Sequence, residues 1–193
     1  TTLVKITTDD GLVGWGEGAE SGLIDHLLAP LLIGTNPMDR AGLWERLFHA
    51  LYNGNNAVGL AGSALSALDI ALWDLAGKAV NLPVSTLLGG KIRDKVAVYA
   101  TGLYYTEGEF PDRLLDEARG YVEQGFKGMK TKVGGLSIAD DVARVKALRE
   151  TIGPDIHLMV DANEAYNATT AIRIGEKLAA LDLVWFEEPV NAQ

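Results

Sequence analysis

Three apolar runs in the second half of the chain end in side chains that can bind cations or transfer protons. Lys130 and Lys132 end the first run, Asp161 and Asn163 the second, and Glu187 the third. Residues two apart on a β-strand point to the same face, so both lysines are predicted to project to one side. Paired ammonium groups on a buried strand are costly unless anions offset their charge. The pattern therefore favours lysines that face carboxylates, in either a catalytic cluster or a structural ion network.

These side chains lie in a regular alternation of strand-like and helix-like sequence. Such alternation with short connections is typical of a parallel sheet whose strands are joined by crossover helices. The carboxyl ends of parallel strands share one edge, where α/β folds place active sites, in a doubly wound sheet or a (β/α)8 barrel. The strand-like segments are 96–100, 126–133, 157–163 and 183–187, and the helix-like segments are 111–124, 137–152 and 168–181.

The first part of the chain follows a different pattern. Residues 3–8 and 12–15 are rich in β-formers and flank the turn signal at 9–11, which predicts a β-hairpin. Residues 24–79 then show helical spacing of leucine. A hairpin followed by helices is typical of a small α+β unit.

The two patterns predict two domains, an α+β domain over 1–92 and an α/β domain over 93–193. A barrel needs eight strands and roughly 200 residues or more. If the second domain is a barrel rather than a doubly wound sheet, its four strand-like segments make only the first half, and we expect the barrel to continue beyond Gln193. Because the second strand of the hairpin begins so close to Thr1, we expect the hairpin to start upstream of Thr1.

Composition excludes several classes of function. The 17 Lys and Arg against 26 Asp and Glu give a net charge of −9 at pH 7, which argues against a nucleic-acid partner. The absence of cysteine excludes disulfides and thiolate ligands, so the oxygen donors favour a hard cation such as Mg²⁺. We expect neither a leader nor a membrane span, because the first residues show no basic and then apolar stretch and no apolar run approaches roughly 20 residues. We predict a soluble cytoplasmic protein without a membrane partner.

Short motifs follow one another in a specific order through nearly the whole chain. They are GWGE at 14–17, ALDIALWD at 67–74, LLGG at 87–90, KTKVG at 130–134, VDAN at 160–163 and FEEP at 186–189. Each string alone is weak, but Lys132 and Asp161 are 29 residues apart and Asp161 and Glu187 are 26 apart. In this order and spacing the motifs resemble the mandelate racemase/muconate lactonizing enzyme family of the enolase superfamily, specifically its mandelate racemase-like subgroup.

The resemblance implies an α+β capping domain and an enolase-type (β/α)-barrel that holds Mg²⁺. It implies that Asp161 and Glu187 are two of three carboxylate ligands, the third lying on a strand that would follow. Lys132 matches the general base. Lys130 matches its partner, which contacts the substrate carboxylate and favours the neutral form of the base. Asn163 is expected to contact the substrate or to lie beside the metal, and the resemblance also implies a homo-oligomer.

The reaction that the resemblance implies is Mg²⁺-dependent removal of the α-proton of a small carboxylate substrate, which gives an enediolate. Dehydration of an acid sugar or racemisation of a 2-hydroxy acid would follow. A muconate cycloisomerase or dipeptide epimerase remains the nearest alternative. A non-catalytic α/β binding module is the alternative from a different class.

Two further residues carry predictions of their own. Tyr52 lies in a loop rich in Gly and Asn, which either closes over the substrate or is an ordinary connection. Trp185 is expected in the hydrophobic core.

Overall fold

The computed structural model describes residues 1–51, 59–108 and 110–192. The chain divides into two compact units, Thr1–Asp94 and Lys95–Gln193. Each unit has its own cluster of buried apolar side chains.

The first unit begins with the predicted β-hairpin. Strand β1 (Thr2–Thr7) pairs antiparallel with β2 (Val13–Gly18) in continuous register from Thr2 opposite Gly18 to Thr7 opposite Val13. Gly11 in the connection has φ of +87°, a conformation that glycine adopts without strain.

The rest of the first unit is helical, and its longest helix supplies most of the core. The elements are α1 (Ser21–Leu23), a π turn (Ile24–Leu28), a 3₁₀ turn (Ala29–Leu31), α2 (Arg40–Ala50), α3 (Gly59–Val80) and α4 (Val84–Leu87). By length and composition α3 resembles a membrane span. It packs on the hairpin, however, and Leu65, Leu68 and Leu72 are buried there, which is the pattern of a core helix.

Glycines at alternate positions of β2 let the backbone of α3 lie directly on the hairpin. A Cβ atom at Gly14 would lie 2.2 Å from the Ala71 carbonyl oxygen, and one at Gly16 would lie 1.9 Å from that of Ala67. The GWGE motif in β2 and the ALDIALWD motif in α3 thus pack directly against each other.

The second unit is a four-stranded parallel sheet in the order β3-β4-β5-β6, as predicted. The strands are β3 (Ala100–Thr101), β4 (Gly128–Lys132), β5 (His157–Asp161) and β6 (Leu183–Glu187), and the helices are α5 (Asp112–Glu123), α6 (Ile138–Ile152) and α7 (Ala168–Leu178), the last followed by a 3₁₀ turn (Ala179–Leu181). Side-chain oxygens of Ser137 and Asn167 cap the first turns of α6 and α7.

The first strand of this sheet is much shorter than predicted. We expected it over 96–100, but the structure has a strand only at Ala100–Thr101, and Val96 and Val98 are 69% and 67% exposed. Ala100 lies opposite Met129, so residues before Tyr99 extend past the start of β4 at Gly128 and pair with no strand among the described residues.

One face of the sheet is covered by helices and the other carries the charged residues. Met129, Thr131 and Val133 are buried, as are Leu158 and Val160 on the next strand. The four apolar residues among them, Met129, Val133, Leu158 and Val160, pack with side chains from α5, α6 and α7 in one cluster. The alternation predicted from the sequence is confirmed, and it leaves the lysines of β4 on the opposite face.

Candidate active site

Three charged residues lie in one row across adjacent strands. Lys132 on β4 is the register partner of Asp161 on β5, which is the register partner of Glu187 on β6. All three are the last residues of their strands. The row therefore lies along the carboxyl edge of the parallel sheet, where α/β folds build their sites.

An irregularity in β6 decides which residue lies opposite Asp161. Leu158 pairs with Leu183, but Val160 pairs with Phe186, so β6 contains one extra residue between these pairs. Without the extra residue Phe186 would lie opposite Asp161, because a slip of one residue exchanges the two faces of a strand. The irregularity thus directs Phe186 to the core and brings Glu187 beside Asp161.

Two lysines and two carboxylates form a continuous network at this edge. Lys132 Nζ donates to Asp161 Oδ2 at 2.6 Å and to Asn163 Oδ1 at 2.5 Å. Lys130 Nζ lies 2.7 Å from Glu187 Oε2 and 3.3 Å from Asp161 Oδ2. The backbone N–H of Asn163 donates to Asp161 Oδ1 at 3.0 Å. The structure therefore brings together five of the residues singled out in the sequence.

Burial and hydrogen bonding set the protonation of this network. Burial lowers the pKa of Lys130, but hydrogen bonds to Glu187 and Asp161 outweigh it, so the net pKa is raised. Burial raises the pKa of Asp161, but hydrogen bonds from Lys132, the Asn163 N–H and Lys130 bring it below its ordinary value. The hydrogen bond from Lys130 also lowers the pKa of Glu187. Both carboxylates are therefore held ionised, as cation ligands must be.

Aromatic side chains lie around the two ammonium groups. They were not predicted at this site from the sequence. Lys130 Nζ lies 5.9 Å from the Tyr99 ring centroid, and Lys132 Nζ lies 5.8 Å from that of Tyr104. The Trp185 indole N–H donates to Glu187 Oε2 at 3.0 Å. Trp185 is 39% exposed, so the prediction that it lies in the core is wrong. Its position two residues before Glu187 was a usable signal, whereas no sequence feature marked Tyr99 or Tyr104.

The backbone takes up uncommon conformations just beyond the row. Asn163, Glu164 and Glu188 have φ of +45°, +62° and +40°. Such left-handed residues cluster at functional sites, where surrounding structure holds them in place. The Glu188 carboxylate accepts from Asn163 Nδ2 at 3.3 Å, whereas that of Glu187 accepts from Lys130 and Trp185. The two neighbouring glutamates therefore have different partners, a distinction that the sequence pattern left open.

The donor set of the row fits a hard divalent cation. Asp161 and Glu187 share a single cationic group, the Lys130 ammonium, so one positive charge can interact with both carboxylates. The atoms of Asp161 and Glu187 that could bind a cation are carboxylate oxygens, which Mg²⁺ prefers as ligands. Among the described residues no group of three His, Cys, Asp or Glu could hold a metal, so these two carboxylates would be only part of a ligand set.

Tyr52, whose loop was expected either to close over the substrate or to be an ordinary connection, falls outside the described residues. A groove of about 480 Å³ follows β1 in the first unit. Its lining consists mainly of residues of β1 and of apolar residues such as Leu32 and Leu72, and it also includes Lys5, Asp9 and Asp25.

Comparisons with known proteins identify the class to which this fold and site belong. Residues 1–89 match the family Mandelate racemase / muconate lactonizing enzyme, N-terminal domain. Residues 113–193 match the family Enolase C-terminal domain-like. The chain therefore belongs to the mandelate racemase/muconate lactonizing enzyme family of the enolase superfamily, as the motifs indicated.

Individual relatives cover nearly all of this chain. Arabinonate dehydratase of Saccharolobus solfataricus is 40% identical over an aligned length of 195 residues, and the match covers 97% of this chain and 52% of that enzyme. The crystal structure of the 3,6-anhydro-D-galactonate cycloisomerase from Zobellia galactanivorans has a TM-score of 0.88 and 42% identity over 98% of this chain and 53% of its own. That of a racemase from Streptomyces coelicolor A3(2) with bound magnesium has a TM-score of 0.85 and 37% identity, and the match covers 98% of this chain and 58% of that one.

The chain spans about half the length of the curated relatives it matches. The same holds for the solved structures.

Proposed function

We propose that this protein removes the proton α to the carboxylate of a small acid, with Lys132 as the general base and with Mg²⁺ bound at Asp161 and Glu187. The observation that carries the proposal is the row itself, which sets a lysine beside two ionised carboxylates at the carboxyl edge of a parallel sheet. The magnesium named for the Streptomyces coelicolor racemase supports the choice of cation.

Each side chain of the row has a distinct role in this reaction. A bound Mg²⁺ supplies electrostatic stabilisation of the negative charge that develops on the substrate. Lys132 accepts the α-proton, and its hydrogen bonds to Asp161 and Asn163 hold Nζ in place. Lys130 keeps its proton, because its net pKa is raised, and serves as a fixed positive charge for the substrate carboxylate.

We favour dehydration of an acid sugar as the outcome, with racemisation of a 2-hydroxy acid as the second candidate. Support comes from relatives named as arabinonate dehydratase and L-talarate/galactarate dehydratase, at 40% and 36% identity. The relative named N-succinyl-L-Arg/Lys racemase, at 32% identity, supports the second. Cycloisomerisation stays open because of the relative named D-galactarolactone cycloisomerase. The proposal includes a cytoplasmic setting and a homo-oligomer.

Exchange of the α-proton in D₂O, followed as loss of the substrate's α-proton signal by NMR, tests the proposal whichever product forms, because every candidate reaction begins with loss of that proton. The intact protein is incubated in D₂O with Mg²⁺ and a panel of acid sugars and 2-hydroxy acids. Racemisation returns deuterium to the α-carbon, whereas dehydration gives a 2-keto acid that has no α-hydrogen, and both remove the signal. Lys132→Ala is expected to lose exchange by roughly a thousandfold, the usual contribution of a general base. Lys127→Ala serves as a control, because Lys127 is an exposed lysine just before β4.

Two results would contradict the proposal. One is full exchange activity in Lys132→Ala at saturating substrate. The other is binding of panel acids by the unmodified protein with no exchange at any of them, which is what a non-catalytic binding module would show.

A further inference from the structure

A buried carboxylate lies outside the row, on the helix that follows β4. Asp141 is in the first turn of α6 and has no solvent exposure. Its Oδ2 accepts the backbone N–H of Gly134 at 2.7 Å and the hydroxyl of Tyr166 at 3.2 Å. Its Oδ1 accepts the hydroxyl of Tyr105 at 2.5 Å. One carboxylate thus collects three neutral donors.

The three donors come from three different loops at the carboxyl edge of the sheet. Tyr105 follows β3, Gly134 follows β4, and Tyr166 follows β5. The Tyr166 backbone N–H donates to the carbonyl of Pro189 at 3.2 Å, which extends the connection to the loop after β6. Asp141 therefore links the loops that follow the strands of the row.

The loop after Lys132 is built closely around this carboxylate. Gly134 has φ of +96°, and the Gly135 N–H donates to the Tyr105 hydroxyl at 3.1 Å. A Cβ atom at Gly135 would lie 2.4 Å from the Tyr105 ring, so a larger residue there would displace the ring. Only Val133 separates this loop from Lys132, and the Val133 N–H donates to the Asp161 carbonyl at 3.0 Å. Gly134 is therefore connected to Lys132 through one intervening residue, and to Asp161 through the backbone hydrogen bond of that residue.

The energetics indicate that Asp141 does more than fill space. Removing a carboxylate from water costs several kcal/mol unless hydrogen bonds replace the lost hydration, and an apolar side chain of similar size would avoid that cost. The Tyr105 ring is further held by the Arg144 guanidinium, 4.4 Å from its centroid. Burial and the hydrogen bond to Asp141 raise the pKa of Tyr105, so its hydroxyl keeps its proton and remains a donor.

We infer that Asp141 is a positioning residue that fixes the loops after β4 and β5 and thereby holds Lys132 and Asn163 in reactive geometry. The catalytic part of this inference rests on the proposed function, whereas the loop part does not. The Asp141 carboxylate accepts hydrogen bonds from Gly134, Tyr105 and Tyr166, and none of them belongs to the row. Asp141 therefore acts on the row through these three residues.

The test uses the intact protein and three variants that remove parts of the linkage, Asp141→Asn, Tyr105→Phe and Tyr166→Phe. The matched control is Tyr121→Phe, which also removes a phenol hydroxyl bonded to a carboxylate, that of Glu117, but within α5. The two Tyr→Phe variants around Asp141 keep the test decisive if Asp141→Asn fails to fold. Amide hydrogen exchange at Gly134 and Gly135 is measured first, because it needs no substrate.

Loss of a single hydrogen bond is expected to speed exchange at these amides by about tenfold in Tyr105→Phe, with no change in Tyr121→Phe. In α-proton exchange kinetics, Asp141→Asn is expected to lower kcat by about a hundredfold with little change in KM, because a misplaced base slows the chemical step. If Asp141 had only a structural role, the Asp141→Asn preparation would contain fewer active molecules. The kcat and KM of each active molecule would then be those of the wild type.

Two outcomes would overturn the inference. One is unchanged amide exchange at Gly134 and Gly135 in folded Asp141→Asn and Tyr105→Phe proteins. The other is wild-type kcat in those variants while the unmodified protein is active. An inactive unmodified protein would instead contradict the proposed function, and the amide exchange would still decide whether Asp141 fixes the loops.

Discussion

Lys130 balances the charge of the row, because its ammonium group contacts both Glu187 and Asp161. Lys130 is 8% exposed and Asp161 is 2% exposed, so water can compensate little at Asp161 if this cation is removed, and Lys132 is then the remaining cation beside that carboxylate. The Glu187 side chain is 34% exposed and keeps part of its hydration. Breaking a buried ion pair by deleting one partner leaves a desolvated charge, which costs more than the pair itself contributes.

Lys130→Met is therefore expected to lower the free energy of unfolding at pH 7 by about 3 kcal/mol. Lys146→Met is the control, because Lys146 is an exposed lysine 3.8 Å from Glu150, and its loss is expected to cost no more than about 0.5 kcal/mol. Urea denaturation of both variants and the wild type measures the difference. Equal stability of the two variants would show that the row does not depend on Lys130.

The pH dependence of this effect follows from the lowered pKa values of Glu187 and Asp161. A pKa that is lower in the folded state adds stability above the unfolded-state value, about 4, and that stability is lost as the pH falls through the folded value. The difference in the free energy of unfolding between the wild type and Lys130→Met is therefore expected to be largest near pH 7 and to decrease below about pH 4. Urea midpoints across this range check the sign, and a deficit that grows on acidification would contradict it.

Strand parity in the sequence was enough to place Lys130, Lys132 and Asp161 on one face, because alternation depends only on the local backbone. Parity alone did not decide between Glu187 and Glu188, because the extra residue in β6 sets which residue lies opposite Asp161. It also gave no indication of Asp141, because the partners of that carboxylate come from three separate loops. The facing side of a side chain was thus predictable where strand alternation alone sets it. It was not predictable where contacts between separate loops set the position of the side chain.

At the scale of elements, the contact between β2 and α3 depends on the absence of side chains on one face of β2. A Cβ atom at Gly16 would lie 1.9 Å from the Ala67 carbonyl oxygen, which belongs to the backbone of a helix and cannot rotate away. The hairpin and the helices were predicted from the sequence, but the close approach of α3 to β2 was not. The GWGE motif shows that glycine is present and does not show what packs against it.

Gly16→Ala is accordingly expected to destabilise the first unit by about 3 kcal/mol, the upper range for overpacking. Gly42→Ala is the matched control, because a Cβ atom there meets nothing within 4 Å and alanine favours helix α2 by about 1 kcal/mol. Thermal unfolding followed by circular dichroism compares the two. A Gly16→Ala protein as stable as the wild type would show that α3 does not lie on β2 as closely as described.

At the scale of the whole molecule, the chain carries a net charge of −9, so cations are favoured near it in general. Specific binding must therefore be separated from this general attraction. The row offers a means of doing so, because Asp161 and Glu187 place two ionised carboxylates next to each other on adjacent strands.

Millimolar Mg²⁺ is expected to raise the Tm of the intact protein, and the Asp161→Asn/Glu187→Gln double variant is expected to lose that rise. A ligand that binds only the folded state at one hundred times its Kd stabilises it by about 2.7 kcal/mol. For a chain of this size that is a Tm increase of roughly 5 to 10 °C. NaCl at matched ionic strength accounts for screening of the net charge, which acts on wild type and variant alike. Equal Mg²⁺-dependent shifts in both proteins would mean that the cation binds elsewhere and that these two carboxylates are not its ligands.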